Sequence, residues 1–136
     1  MDKPRVLLID DEIVFTRLLK TYLEGTGHYE AQIVNHGAQA VAVARQFRPD
    51  VILLDVIMPD LDGSRIAAQL KADASLRQIP IVFLTAVVSR EEADARSGCI
   101  GGQYFLAKPA SAREVLACIE RYLRGESATS PVASGA

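Results

Sequence analysis

The sequence is poor in the residues that usually announce a metal- or redox-active protein. It has no tryptophan, and only two histidines and two cysteines among 136 residues. Cys99 reads as a loop residue and Cys118 as part of a helical pattern, so neither belongs to a metal-type or redox-type pair, and a reducing cytoplasm is the expected compartment. His28 and His36 flank a weak strand pattern outside any ligand spacing and read as surface residues. No stretch approaches the roughly 18 apolar residues of a membrane span. The opening MDKPRVLLIDDE lacks a long apolar signal core, so a soluble, unexported chain is expected. Charge of one sign is also missing. With 15 basic and 17 acidic residues the net charge is -2, which argues against a nucleic-acid or membrane surface and for a protein partner or small ligand. Internal repeats are absent.

What is present is a 49% hydrophobic chain long enough for one core. The runs Val6-Leu7-Leu8-Ile9, Val51-Ile52-Leu53-Leu54 and Ile81-Val82-Phe83-Leu84 suit strands buried on both faces of a parallel sheet. Ala31-Gln32-Ile33-Val34 and Tyr104-Phe105-Leu106-Ala107 are weaker and fit edge strands, giving five in all. Between them Val14, Leu18 and Tyr22 share a helical face, as do Ala40, Val43, Ala44 and Phe47, then Ile66 and Leu70, and finally Val115, Ile119 and Tyr122. Ser89-Arg90-Glu91-Glu92 and Ser111-Ala112-Arg113-Glu114 read as capping boxes that open the fourth and fifth helices. In Asp62-Gly63-Ser64, Gly63 permits a turn and Ser64 can cap the third helix. Alternating strands and helices with right-handed crossovers predict a three-layer α/β sandwich over residues 1–124. Residues 125–136, GESATSPVASGA, have no apolar periodicity and read as a flexible tail or linker stub.

The polar residues that matter sit just after the strands. Asp10 and Asp11 follow the first, Asp55 ends the third, Thr85 ends the fourth and Lys108 follows the fifth. Open α/β sheets bind ligands at that edge, so these side chains should share one crevice. Taken singly, each is equally well a cap, a turn or a solvated surface residue; it is the coincidence of five at one edge that points to a site. Crowded carboxylates need a proton or a cation, and Mg²⁺ suits an all-oxygen set of one or two carboxylates with waters and a phosphate oxygen. Asp11 and Asp55 are the expected ligands, with Asp10 acting directly or through water and the Ile57 backbone carbonyl completing the set. A carboxylate can also attack phosphorus to give an acyl phosphate, with the metal and Lys108 neutralising charge and the Thr85 hydroxyl bonding a phosphoryl oxygen.

The motifs Leu8-Ile9-Asp10-Asp11-Glu12, Leu53-Leu54-Asp55-Val56-Ile57-Met58-Pro59-Asp60-Leu61-Asp62-Gly63, Leu84-Thr85-Ala86 and Lys108-Pro109 closely resemble those of response-regulator receivers, in order and across residues 4–124. The resemblance implies a flavodoxin-like fold with five helices and strand order 2-1-3-4-5. It implies that Asp55 accepts phosphate from a phosphohistidine on a sensor histidine kinase or histidine phosphotransfer protein, with Asp10 and Asp11 organising Mg²⁺, for which Mn²⁺ can substitute. The Ala86 backbone joins Thr85 and Lys108 around the phosphoryl group. On this reading the chain is a signalling domain that catalyses only its own phosphotransfer and dephosphorylation, acting on an effector protein or an output domain, with homodimerisation on phosphorylation as one outcome.

Further expectations follow from the same resemblance. The Lys108-Pro109 peptide is expected to be cis, aiming the ammonium into the pocket. Phosphorylation is expected to act through the face of the fourth helix, fifth strand and fifth helix, because residues 89–97 carry only Ala93 and Ala95 as apolar anchors. Phe105 stands where the family commonly has Tyr, so the rotamer switch coupled to Thr85 would rest on packing alone; Ala110 stands where Phe is frequent. Ile57 and Val87 occupy the two positions that often orient a hydrolytic water, and neither can hydrogen-bond one, so slow loss of the phosphoryl group is expected. A phosphohydrolase of the haloacid dehalogenase type would need a second acid where Ile57 stands, and a nucleotide or flavin module would need a glycine cradle where Asp10-Asp11-Glu12 stands.

Overall fold

A computed structural model describes residues 3–55, 63–85, 99–100, 103–107 and 111–123, the side chains of residues 85, 99, 100, 103–107 and 122 excepted. The chain runs β1 (Arg5–Ile9), α1 (Ile13–Gly25), β2 (Glu30–Val34), a 3₁₀ turn (Gly37–Gln39), α2 (Ala40–Phe47), β3 (Val51–Asp55), α3 (Gly63–Ala72), β4 (Ile81–Thr85), β5 (Cys99–Ile100), β6 (Gln103–Ala107) and α4 (Ala112–Leu123). The strands form one sheet in the order β2-β1-β3-β4-β6-β5. Every pairing is parallel except that of β5 with β6. The expected order of five parallel strands is therefore present, in a flavodoxin-like α/β fold. Two expectations are corrected. Cys99 lies in a strand rather than a loop, and β6 carries the two-residue β5 on its outer side instead of ending the sheet.

The apolar strands alternate between two cores. Leu7, Ile9, Ile52, Leu54, Ile81 and Phe83 pack with Ala40 and Ala44 of α2 and Ile66 and Leu70 of α3. Val6, Leu8, Val51, Leu53, Val82 and Leu84 face the other way, onto Leu19 and Leu23 of α1 and Val115 and Ile119 of α4. A strand sandwiched between two helical layers has no polar face, which is why these runs read as continuously apolar. Burying a Leu such as Leu19 or Leu23 contributes roughly 1.5–3 kcal/mol.

The helix ends follow local chemistry. Ser111 and Glu114 close a reciprocal capping box at α4, the Glu114 N–H donating to the Ser111 hydroxyl at 3.1 Å and the Ser111 N–H to the Glu114 carboxylate at 2.9 Å. α2 ends at Arg48, held left-handed at φ 54° just before Pro49, which disfavours a further helical residue. Ser64 stands inside the first turn of α3, not ahead of it, so it is not the cap; the other expected capping box, at Ser89, lies outside the described residues.

Helix α1 departs most from expectation. Val14, Leu18 and Tyr22 share a face, but it is the solvent face, at 72%, 66% and 39% exposure. The core face is Thr16, Leu19 and Leu23. The polar side of α1 also closes the open edge of the sheet. In β2, Ala31 points its backbone groups away from β1, and α1 takes both: Lys20 Nζ donates to the Ala31 carbonyl at 2.6 Å, and the Ala31 N–H donates to Glu24 at 3.2 Å. Lys20 and Glu24 are themselves an ion pair at 2.9 Å, which with the Ala31 bond holds the Glu24 carboxyl below its usual range.

Candidate functional site

The site is assembled by strand register. Ile9 is level with Leu54, Asp55 with Leu84, and Thr85 with Ala107. Each of these four parallel strands thus ends within a residue of its neighbour, and whatever follows them emerges at one edge. That edge carries Asp10, Asp55 and the backbone of Thr85. Lys108, next after Ala107, lies outside the described residues, as do Ile57, Ala86 and Val87; Phe105 is described as backbone in β6, level with Phe83.

Three of the expected site residues come together with their side chains. Asp10, Asp11 and Asp55 each offer a carboxylate oxygen within 4.8 Å of the other two. Asp10 is 1% and Asp55 4% exposed, at the inner end of the cluster, with Asp11 nearer solvent. Two ionised carboxylates at that distance repel by roughly 3–4 kcal/mol at an effective dielectric near 20. Burial adds to the cost for Asp10 and Asp55, which have exchanged water for protein. Three oxygen donors at this spacing fit a hard divalent cation such as Mg²⁺, which takes carboxylate oxygens and keeps several waters.

The loop that carries the acidic pair is tightly specified. The Asp10 N–H donates to the Val34 carbonyl at 3.1 Å, and the Glu12 N–H returns to Asp10 Oδ1 at 2.9 Å, which turns the chain into α1. α1 starts at Ile13 and points its N-terminus at the cluster, a favourable place for negative charge. Thr16 is buried and donates its hydroxyl to the Ile13 carbonyl at 3.0 Å. Asn35, the residue after β2, donates from Nδ2 to the Asp10 carbonyl at 2.7 Å and to Thr16 Oγ1 at 3.2 Å.

Asn35 and Thr16 were not among the residues singled out from sequence. The available signal was a polar residue at the carboxyl end of a strand that the sheet order places beside β1.

The other candidate groups are not part of the carboxylate cluster. His28 and His36 are exposed. Cys118 packs part-buried against the α1/α4 core, and burial pushes its thiol up to about 11, so it stays protonated at neutral pH. Asp73, held down to about 2 by Ser75 and Arg45, belongs to the turn after α3.

The chain is similar to known proteins over most of its length. Residues 6–120 match the family model described as the response regulator receiver domain. The chain is 32% identical over 120 residues to the polar-differentiation response regulator DivK of Brucella anthropi, covering 87% of the chain and 94% of that protein. It is 37% identical over 122 residues to the transcriptional regulatory protein BaeR of Escherichia coli, covering 89% of the chain but spanning about half, 48%, of that longer relative. Among solved structures, the chemotaxis protein CheY4 of Vibrio cholerae superposes with a TM-score of 0.74 at 29% identity, covering 88% of the chain and 98% of CheY4.

A cluster that relieves its own repulsion by taking a cation should be stabilised by one. At about 100 times its Kd, Mg²⁺ should add about 2.7 kcal/mol, several degrees in Tm, relative to EDTA. Asp11→Asn should remove at least half of that shift. A parent with the same circular-dichroism melting curve in Mg²⁺ and EDTA would show that the cluster holds no ion.

Proposed function

The chain belongs to the response regulator receiver domain family, and from that premise we propose that Asp55 accepts a phosphoryl group from a phosphohistidine on a partner protein while Asp10 and Asp11 hold Mg²⁺ beside it. The observation that carries this reading is the grouping of three carboxylates at the carboxyl edge, with the acceptor at 4% exposure. An Asp55 oxygen attacks phosphorus and forms the O–P bond as the P–N bond to the donor imidazole breaks, its electron pair staying on nitrogen. When bound, the metal neutralises charge on the phosphoryl oxygens. Asp10 and Asp11 position it, and burial of Asp55 keeps bulk water from the acceptor. Lys108, the Thr85 hydroxyl and the Ala86 backbone are the proposed partners of the remaining oxygens, since Thr85 ends β4 at this edge and Ala86 and Lys108 come directly after β4 and β6.

The partner must reach Asp55 from the loop edge. α1 begins two residues after Asp11, and its outer face offers Ile13 at 55% exposure and a stripe of Val14, Leu18 and Tyr22, with Arg17 and Thr21 between them. An apolar stripe that starts at the mouth of the site suits the surface of the phosphohistidine-bearing protein. Output is proposed to leave by another route, through residues 89–97, β6 and α4, with Ile57 and Val87 leaving the acyl phosphate without a side chain that orients water.

Four experiments test this reading. With Mg²⁺ and acetyl phosphate, intact mass should show one phosphoryl adduct on the parent and none on Asp55→Asn; turnover of acetyl phosphate without an adduct would favour a phosphohydrolase. The adduct should decay more slowly in the parent than in Ile57→Asn with Val87→Glu, by up to about 10²-fold, and equal rates would remove the shielding role. For docking, Leu18→Asp should cut phosphotransfer from the protein donor by about tenfold or more, 1.4 kcal/mol, while leaving the acetyl phosphate reaction unchanged; equal loss with both donors would contradict it. For output, beryllofluoride with Mg²⁺ should shift amides of β6 and α4, and shifts confined to residues around Asp10 and Asp55 would leave that face without a role.

A further inference from the structure

We infer that Asn35 is a positioning residue for the metal and phosphoacceptor site, acting through the peptide that joins Asp10 to Asp11. The inference rests on the proposed metal role of those two residues and names a group beyond them.

The Asp10–Asp11 peptide carries two of the three clustered carboxylates, so its orientation sets the direction of both side chains. The flanks of that peptide are held from the same neighbour. On one side, the N–H of Asp10 donates to the Val34 carbonyl of β2 at 3.1 Å, as a continuation of the sheet ladder. On the other, the Asp10 carbonyl lies past the last strand residue, where the ladder no longer supplies a donor, and Asn35 Nδ2 reaches it at 2.7 Å. The acceptor is a carbonyl, so the amide must present its NH₂ there; the chemistry fixes which end of the Asn faces Asp10.

The second hydrogen of the same NH₂ goes to Thr16 Oγ1 at 3.2 Å. Thr16 can accept it because its own hydroxyl hydrogen is taken by the carbonyls of the preceding turn, Ile13 at 3.0 Å and Glu12 at 3.2 Å. One amide therefore satisfies two acceptors with its two hydrogens. It ties the end of β1 to the first turn of α1 across the loop that holds Asp11. The anchor on the helix side is buried, Thr16 being 1% exposed. Neither Asn35 nor Thr16 contributes a carboxylate to the cluster, and their effect on a bound ion passes through Asp10 and Asp11.

Outer partners of metal ligands typically carry a 10- to 100-fold share of metal affinity. Asn35→Ala should weaken Mg²⁺ binding by about that factor, read as Kd by titration calorimetry well below Tm, with amide shifts at Asp11 and Glu12 in the metal-free protein. Thr16→Val should move Kd the same way by less, and Thr16→Ser, which keeps the hydroxyl, should restore it. If Asn35→Ala does not fold, Asn35→Leu keeps the volume and removes the donor, with the same expectation. A folded variant whose Tm falls but whose Kd stays within twofold of the parent would make Asn35 a structural clamp and overturn the inference. In that case the metal reading would stand, whereas a parent that binds no Mg²⁺ would overturn both.

Discussion

Three carboxylates held within 4.8 Å at one end of a sheet are the constraint around which the rest of this molecule is arranged. Such a cluster does not form from chain preference, because every pair within it repels and two of its members are buried. Its members are brought together by the sheet. Asp10 and Asp55 follow strands whose apolar residues are committed to two cores, and parallel pairing in the observed register brings their ends level. The hydrophobic energy of β1, β3 and β4 thus holds charges together that would otherwise separate.

Helix α1 links that site to the outside. Its inner face is anchored by Leu19 and Leu23, its first turn is tied to the acidic loop through Thr16 and Asn35, and its polar side covers the free edge of β2 through Lys20 and Glu24. With three sides engaged, the fourth is left exposed and carries Val14, Leu18 and Tyr22 together with Arg17 and Thr21. A monomer gains nothing in water from Val14 and Leu18 at the surface, so a partner face is the economical reading of that stripe.

Much of this was legible in the chain, for physical reasons. Strands buried on both faces cannot alternate, so the runs at Val6, Val51 and Ile81 announced the centre of the sheet and, with it, the edge where Asp10 and Asp55 emerge. The capping box at Ser111 is local chemistry and was equally readable. The face of α1 was not. Val14, Leu18 and Tyr22 have the same helical spacing as Phe15, Leu19 and Leu23, and the choice between the stripes is made by packing against β1 and α4, which periodicity does not contain. Asn35 was hidden for a related reason: alone it reads as a turn residue, and only the adjacency of β2 and β1 puts its amide on the Asp10 carbonyl. A two-residue strand such as Cys99–Ile100 is too short to carry any pattern.

The central claim is that Asp10, Asp11 and Asp55 act as one centre for one divalent ion. Paramagnetic broadening of backbone amide signals by substoichiometric Mn²⁺ tests it most directly, because the effect falls off steeply with distance from the ion. The account predicts that Asp10, Asp11, Glu12 and Asp55 broaden together while Arg5, Val51 and Ile81, at the opposite ends of the same strands, stay sharp. Broadening spread instead over surface carboxylates such as Asp73 and Glu120, with the amides of Asp10 and Asp55 unaffected, would contradict it.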